Sequence, residues 1–213
     1  MAKIAVLDYK AGNLTSVETA VRHLRGDARV TDDLQEIRDA EKLIFPGVGA
    51  AGASMENLHD LGITEEIQSA FAKGKPILGI CIGCQVVLSE SEEDGGTSCL
   101  GLIPGKVTRF NFAAGVERKI PHMGWNRVDF RNDGQSRHPV FDGVESGAEF
   151  YFVHSYYPVP DSDEHVQADA TYGGVKFSAA LARDNLVTVQ FHAEKSGRHG
   201  LKILENFLNW KPN

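Results

Sequence analysis

Short apolar runs separated by helical periodicity organise the first half of the chain. Lys3 to Asp8 has the continuous apolar character of a strand buried on both faces, and Gly12-Asn13 follows it. Thr15 with Glu18 three residues later matches a capping box, which predicts a helix that Gly26 ends. Leu43 to Phe45 reads as the next strand, broken at Pro46-Gly47-Val48-Gly49, with helical patterns from about Ala53 to Leu61 and from Thr64 to Ala72. Ile77, Leu78 and Ile80 form a further buried strand, and the apolar pattern resumes at Val86, Val87 and Leu88 as if on a helix. Strands alternating with helices at this spacing predict an α/β fold with a doubly wound, largely parallel central sheet flanked by helices. Such sheets carry their chemistry at the carboxyl ends of the strands.

Beyond this point the pattern changes. Ser89 to Pro104 is acidic and glycine-rich and reads as a loop, after which strands follow without long helices: Lys106 to Phe110, Glu117 to Ile120, Asn126 to Phe130, Glu149 to His154, Val166 to Thr171, Phe177 to Arg183 and Leu186 to Phe191. The second half is therefore expected to add a mixed or antiparallel β region. Leu201, Leu204, Phe207 and Leu208 place one apolar stripe on a closing helix. Neither repeats nor a linker interrupt the chain, so a single domain over 1–213 is expected.

With 213 residues, 42% of them hydrophobic, the chain is long enough for one sizeable core. Its formal charge of -7 gives no electrostatic footprint for nucleic acid. No apolar run is long enough to span a bilayer, and the opening Met-Ala-Lys-Ile-Ala-Val-Leu-Asp lacks a signal-peptide pattern, so a cytoplasmic protein with no membrane association is expected. Cys81, Cys84 and Cys99 suit a reducing compartment better than a disulfide framework.

Composition narrows the class, but Pro76 to Gln85 carries the first chemistry. Cys81 falls at the turn between the apolar strand and the pattern that follows, flanked by Gly79 and Gly83. Glycines there suit a sharp strand-to-helix turn, the nucleophile-elbow logic with sulfur in place of oxygen. A buried structural cysteine is the alternative description. A thiolate nucleophile needs a base and the base an orienting partner. His192 emerges at the end of the strand Leu186 to Phe191, and in extended backbone Glu194 points to the same side. The glycine-rich Pro46 to Gly49 can turn a backbone N–H toward a reacting carbonyl, with the N–H of Ile82 as second oxyanion donor; a plain tight turn is the simpler reading. Cys81 and Cys84 also form a Cys-x-x-Cys, open to a redox role, whereas a zinc site would need a second pair, so no metal is expected. Pro121-His122-Met123-Gly124-Trp125-Asn126 should be a loop or edge, serving as a partner surface or a satellite core cluster. His154, within a strand by composition, reads as a core histidine.

Gly79-Ile80-Cys81-Ile82-Gly83-Cys84-Gln85 together with Gln190-Phe191-His192-Ala193-Glu194 resembles the paired signature of the class I, triad-type glutamine amidotransferases, in residue types and in the order Cys, His, Glu. Phe45 to Ala50, Pro121 to Asn126, Tyr151 to Tyr156 and Glu194-Lys195-Ser196 resemble, within that family, the glutaminase subunits of imidazole glycerol phosphate synthase, and the likeness covers essentially the whole chain. The resemblance implies that Cys81, His192 and Glu194 are catalytic and that the N–H groups of Val48 and Ile82 form the oxyanion hole. It also implies that Gly49, Gln85, Ser155 and Tyr156 bind the amino-acid end of glutamine. No cofactor is implied. The implied partner is a (β/α)8-barrel cyclase in a heterodimer, which receives the ammonia and makes imidazole glycerol phosphate and aminoimidazole carboxamide ribonucleotide. Asn13, Trp125, Tyr151 and Lys195 would face it, with Pro46 to Gly49 as a switch. Three residues depart from the family pattern: Ala193 for the usual proline, Cys84 for methionine or histidine, and Gly52 for something bulkier. A glutaminase subunit of another synthase, a non-catalytic scaffold and a redox protein are the competing readings.

Overall fold

Period-two alternation with both faces buried explains the centre of the molecule, a computed structural model that describes residues 3–131 and 137–212. In β1 (Lys3–Leu7), Ile4 and Val6 join one hydrophobic cluster while Ala5 and Leu7 join another. The same division separates Ile44 from Leu43 and Phe45 in β3 (Lys42–Phe45), and Leu78 and Ile80 from Ile77 in β4 (Ile77–Ile80). A strand that feeds two cores has no polar face, which is why these runs read as continuously apolar.

One face is covered by α1 (Leu14–His23), through Val17, Ala20 and Val21, and by α6 (Gly197–Asn209), through Ile203, Leu204 and Phe207. The other is covered by α2 (Leu34–Asp39), α3 (Ala51–Asp60) and α4 (Ile63–Ala72), through Ile37, Leu58, Ile63 and Ile67. The doubly wound expectation is met. It is extended by strands that join the same sheet antiparallel. With β2 (Asp27–Thr31), β8 (His122–Phe130), β9 (Ala148–His154), β11 (Val166–Tyr172), β12 (Val175–Arg183) and β13 (Leu186–Val189), the order is β2-β1-β3-β4-β13-β12-β11-β8-β9. From β2 to β13 the pairs are parallel; from β13 to β9 they are antiparallel. A second small sheet is made by β5 (Glu90–Ser91), β6 (Thr97–Ser98), β7 (Gly105–Arg109) and β10 (Tyr156–Pro160).

Several local expectations change. The helix after Cys81, α5 (Ile82–Gln85), is a single turn, and Val86, Val87 and Leu88 are buried in the segment beyond it. The capping box does not form: Asn13 occupies the cap position of α1 in a left-handed conformation without a side-chain cap, and Glu18 instead pairs with Arg22 at 2.8 Å. Glu117 to Ile120 forms no strand, and the Pro121–Asn126 block lies largely in β8, next to the sheet edge. β2 and α2 escape the periodicity because one is an edge strand interrupted by Arg29 and the other a helix of six residues. Asp33, whose carboxylate accepts from the N–H groups of Gln35 and Glu36, is the local signal that marks α2. No described helix is long and apolar enough to cross a membrane.

Lys42 is a buried cation beneath the sheet. Its Nζ donates to the carbonyls of Phe207, at 2.8 Å, Leu208, at 2.9 Å, and Trp210, so it caps the end of α6. Lys42→Met should lower stability by about 2 kcal/mol, because those carbonyls lose their donor; urea unfolding measures it. Burial lowers the Lys42 pKa to about 8. The folded protein then releases this proton before the unfolded chain does, so the group makes stability rise between about pH 8 and 10.5 and fall as pH drops through that window. That component of the slope should vanish in Lys42→Met.

Candidate active site

Cys81 sits between β4 and α5 with φ 56° and ψ −106°, a conformation that costs a non-glycine residue on the order of 1–3 kcal/mol. The flanking glycines make it possible. A Cβ on Gly79 would lie 2.8 Å from the carbonyl oxygen of Gly83, and one on Gly83 would collide with the carbonyl oxygen of Phe45. The turn is tied to the sheet by the Cys81 N–H, which donates to Val189 of β13 at 2.9 Å. Cys81 is only 6% exposed, with Sγ 3.8 Å from the carbonyl of Val153 and 4.0 Å from Nε2 of Gln190. Because α5 has only one turn, the helix dipole contributes little here; the free amides of its first turn matter more.

His192 follows β13 and is 2% exposed. Its Nδ1 lies 2.8 Å from Oε1 of Glu194, whose carboxylate is wholly buried. The expectation that the two meet across extended backbone is corrected: Ala193–Lys195 form a 3₁₀ turn, and the turn brings the side chains together. Two small residues hold that turn. Ser196 Oγ donates to the His192 carbonyl at 2.6 Å and accepts from the Tyr151 N–H at 3.0 Å, while Gly200, where a Cβ would strike the Ala193 carbonyl, lets α6 close on it. Burial opposes charging of His192, but the nearby Cys81 and the hydrogen-bonded Glu194 raise its pKa to about 10. Such a histidine favours its charged imidazolium form.

The carboxylate is also held by Asn13, whose Nδ2 donates to Glu194 Oε1 at 2.6 Å and lies 3.4 Å from His192 Nδ1. The Asn13 side chain is thus turned toward the His192–Glu194 pair, which explains why it does not cap α1. Cys84 gives no support to a redox pair: it is buried, takes a hydrogen bond from Thr188 at 3.2 Å, and burial pushes its thiol up to about 12.

A cavity of about 240 Å³ opens onto Cys81, lined by Val48, Gly49, Ile82, Gln85, Glu93, Pro121 and the strand-end segment 153–156. It gathers the expected oxyanion residues Val48 and Ile82 and the expected binding residues Gly49, Gln85, Ser155 and Tyr156. Gln85 builds the wall, its Nε2 donating to the Tyr156 carbonyl and to Gln190 Oε1, both at 2.9 Å. Glu93 is the residue that sequence reasoning left inside a loop. Its Oε2 accepts from the Ala51 N–H at 2.7 Å, and burial raises its pKa. Within the acidic run 90–94 nothing local distinguishes it. Beside it, Gly52 donates to Asp94 at 3.3 Å, and Asp94 fills the space a side chain at 52 would need.

Comparison with known proteins resolves what such a site belongs to. Residues 5–210 match the family model described as glutamine amidotransferase class-I. The chain belongs to the class I glutamine amidotransferases. It is 46% identical to a protein of Methylococcus capsulatus named imidazole glycerol phosphate synthase subunit HisH, over all of this chain and 98% of that protein. It is also 46% identical to the subunit of the same name from Geobacter sulfurreducens, over 99% of this chain and all of the relative. The solved structure of PurLQS from Thermotoga maritima shares the fold, with a TM-score of 0.72 at 19% identity over 98% of this chain and 99% of that one. In this class I glutamine amidotransferase, the cavity at Cys81 opens beside an exposed apolar rim. Met123 is 63% and Trp125 55% exposed, Val48 is exposed, and Trp125 meets Tyr151 edge-on at 6.0 Å across β8 and β9. Lys195 is exposed at the triad turn.

Proposed function

We propose that the chain, acting as one domain, hydrolyses glutamine to glutamate and ammonia and passes the ammonia to a (β/α)8-barrel cyclase partner making imidazole glycerol phosphate and aminoimidazole carboxamide ribonucleotide in histidine biosynthesis. The observation that carries the chemistry is the strained Cys81 at a cavity sized for one amino acid, with the buried His192–Glu194 pair beside it. The partner reading rests on the names of the relatives and on the exposed rim of Val48, Met123 and Trp125, with Tyr151 and Lys195 beside it.

In this reading the Cys81 thiolate attacks the side-chain carboxamide carbon, and the oxyanion is stabilised by the N–H groups of Ile82 and Val48. His192 gives its proton to the departing nitrogen, ammonia leaves, and a glutamyl thioester remains. His192 then takes a proton from water as it attacks the thioester, releasing glutamate and restoring the thiol. Glu194 holds the imidazole and Asn13 holds Glu194. Glu93 is the carboxylate placed to meet the substrate's ammonium group, beside Gly49, Gln85, Ser155 and Tyr156.

Pro46 to Gly49 is proposed as the switch that presents the Val48 N–H. Gly47 is fixed by close packing, since a Cβ there would run into the Tyr9 hydroxyl, which itself donates to the Pro46 carbonyl at 2.8 Å. Gly49 has φ 116° with open space around its Cα, so an alanine there meets no protein neighbour and is opposed by the backbone conformation. Glutamate release measured with and without the barrel cyclase and its nucleotide ligand tests the function. Gly49→Ala should reduce the stimulated rate about tenfold, from strain of roughly 1–2 kcal/mol. Equal release with and without the partner would discard the partnership, and unchanged stimulation in Gly49→Ala would discard the switch.

A further inference from the structure

Two buried histidines take no part in the chemistry described above. His154 ends β9 at the cavity wall, and His122 faces it across the β8–β9 pair. His154 Nδ1 lies 2.8 Å from the carbonyl oxygen of Tyr156, His122 Nδ1 lies 2.9 Å from His154 Nε2, and Asn126 Nδ2 lies 3.4 Å from His122 Nε2. Asn126 also donates to the Thr171 carbonyl at 2.9 Å and accepts from the Arg127 N–H at 2.9 Å.

The donors and acceptors allow one assignment for the neutral rings. A carbonyl oxygen only accepts, so His154 carries its proton on Nδ1 and its Nε2 must accept. His122 therefore donates from Nδ1, and its own Nε2 accepts from Asn126. Protonating either ring would set a donor against a donor. The surroundings oppose it as well. His122 stacks on Tyr172 and Phe152, with centroids 4.1 and 4.9 Å away, and His154 lies against Phe110 and Phe177 at 5.2 and 5.1 Å. Among the described residues no carboxylate acts on either ring, and the charge of His192 further disfavours charge on His154. Burial holds His122 down at about 4 and His154 at about 3.

We propose that His122 and His154 form a neutral, single-tautomer relay that positions the Tyr156 carbonyl, and with it the wall of the glutamine cavity, from the exposed β8 face. The Tyr156 carbonyl is the meeting point of the relay with Gln85, whose amide also holds Gln190 near Cys81. Residues 154–156 line the cavity around the substrate's amino-acid end, so a shift there weakens recognition of the amino acid more than the reactivity of the thiol. His122 and His154 act here as positioning residues, an inference that rests on the glutaminase reading.

Nitrogen-15 chemical shifts of the histidine rings in the full-length chain test the relay directly. Both His122 and His154 should be protonated at Nδ1, with no change between pH 5.5 and 8. A Nε2-protonated His154, or titration of either ring in that range, overturns the proposal. His122→Phe keeps the stacking but removes the donor, leaving His154 Nε2 buried and unpaired. His122→Gln can still donate. Capture of Cys81 by 6-diazo-5-oxonorleucine should saturate at about tenfold higher concentration in His122→Phe and within about threefold of wild type in His122→Gln. Capture by iodoacetamide, which has no amino-acid end, should proceed at the wild-type rate in both. Equal saturation in wild type and His122→Phe, or no rescue by glutamine, would sink the relay. If the wild-type thiol ignored the diazo compound altogether, the glutaminase reading would fall, and the nitrogen shifts would decide the relay by themselves.

Discussion

Cys81→Ala should reduce glutamate formation from glutamine by about 10⁴-fold or more, the scale expected when the nucleophile of a coupled catalytic unit is removed. The neighbouring Cys84 is no substitute: it is buried with its thiol pushed up to about 12, and Thr188 donates to that sulfur. Alanine fits the space and carries the same backbone strain at φ 56°, so the variant should fold about as well as wild type. Glutamate release is the measurement, with ammonium-fed turnover of the assembled synthase as the control. Loss of the first with retention of the second assigns the defect to glutamine chemistry. Appreciable glutamate release from the alanine variant would show that Cys81 is not the nucleophile.

The second large effect is expected for Glu194→Gln, a loss of about 10³–10⁴-fold in kcat. Oε1 of Glu194 accepts from Asn13 at 2.6 Å and meets His192 Nδ1 at 2.8 Å. A carboxylate accepts both contacts. Both contacts fall on the same oxygen, so a glutamine that keeps its oxygen there loses the charge, while one that flips sets its NH₂ against the Asn13 donor and drives the imidazole proton to the nitrogen that should serve as base. The substitution also removes one of the charges that raise the His192 pKa, so the imidazolium partner of the thiolate is lost at lower pH. The pH profile of Cys81 capture by iodoacetamide should therefore move to the alkaline side. A profile superposable on wild type would mean that Glu194 does not orient or charge His192.

Much of this site was legible before the fold. The elbow was readable because steric crowding at a strand-to-helix turn leaves only glycine on either side, and the contacts at Gly79 and Gly83 are of that kind. The buried strands were readable because a strand with two covered faces has no polar positions, which leaves a local trace. The antiparallel continuation was read as a separate region because strand order is not written in any one strand. β12 and β13 pair through a short turn, whereas β4 and β13 meet across more than a hundred residues.

Residue types and their spacing by themselves determined a parallel α/β core, a thiol at an elbow and a histidine with a nearby carboxylate. Tertiary structure decided the rest. It closed a 3₁₀ turn, not an extended segment, between His192 and Glu194, and it took Asn13 from its helix cap to the Glu194 carboxylate. It also drew Glu93 out of an acidic run and set two histidines of β8 and β9 into one hydrogen-bonded chain. Propensity and periodicity are local, and they report burial and backbone conformation. Hydrogen-bond partners are chosen by distance in space, and burial makes an unpaired group costly enough to enforce the choice.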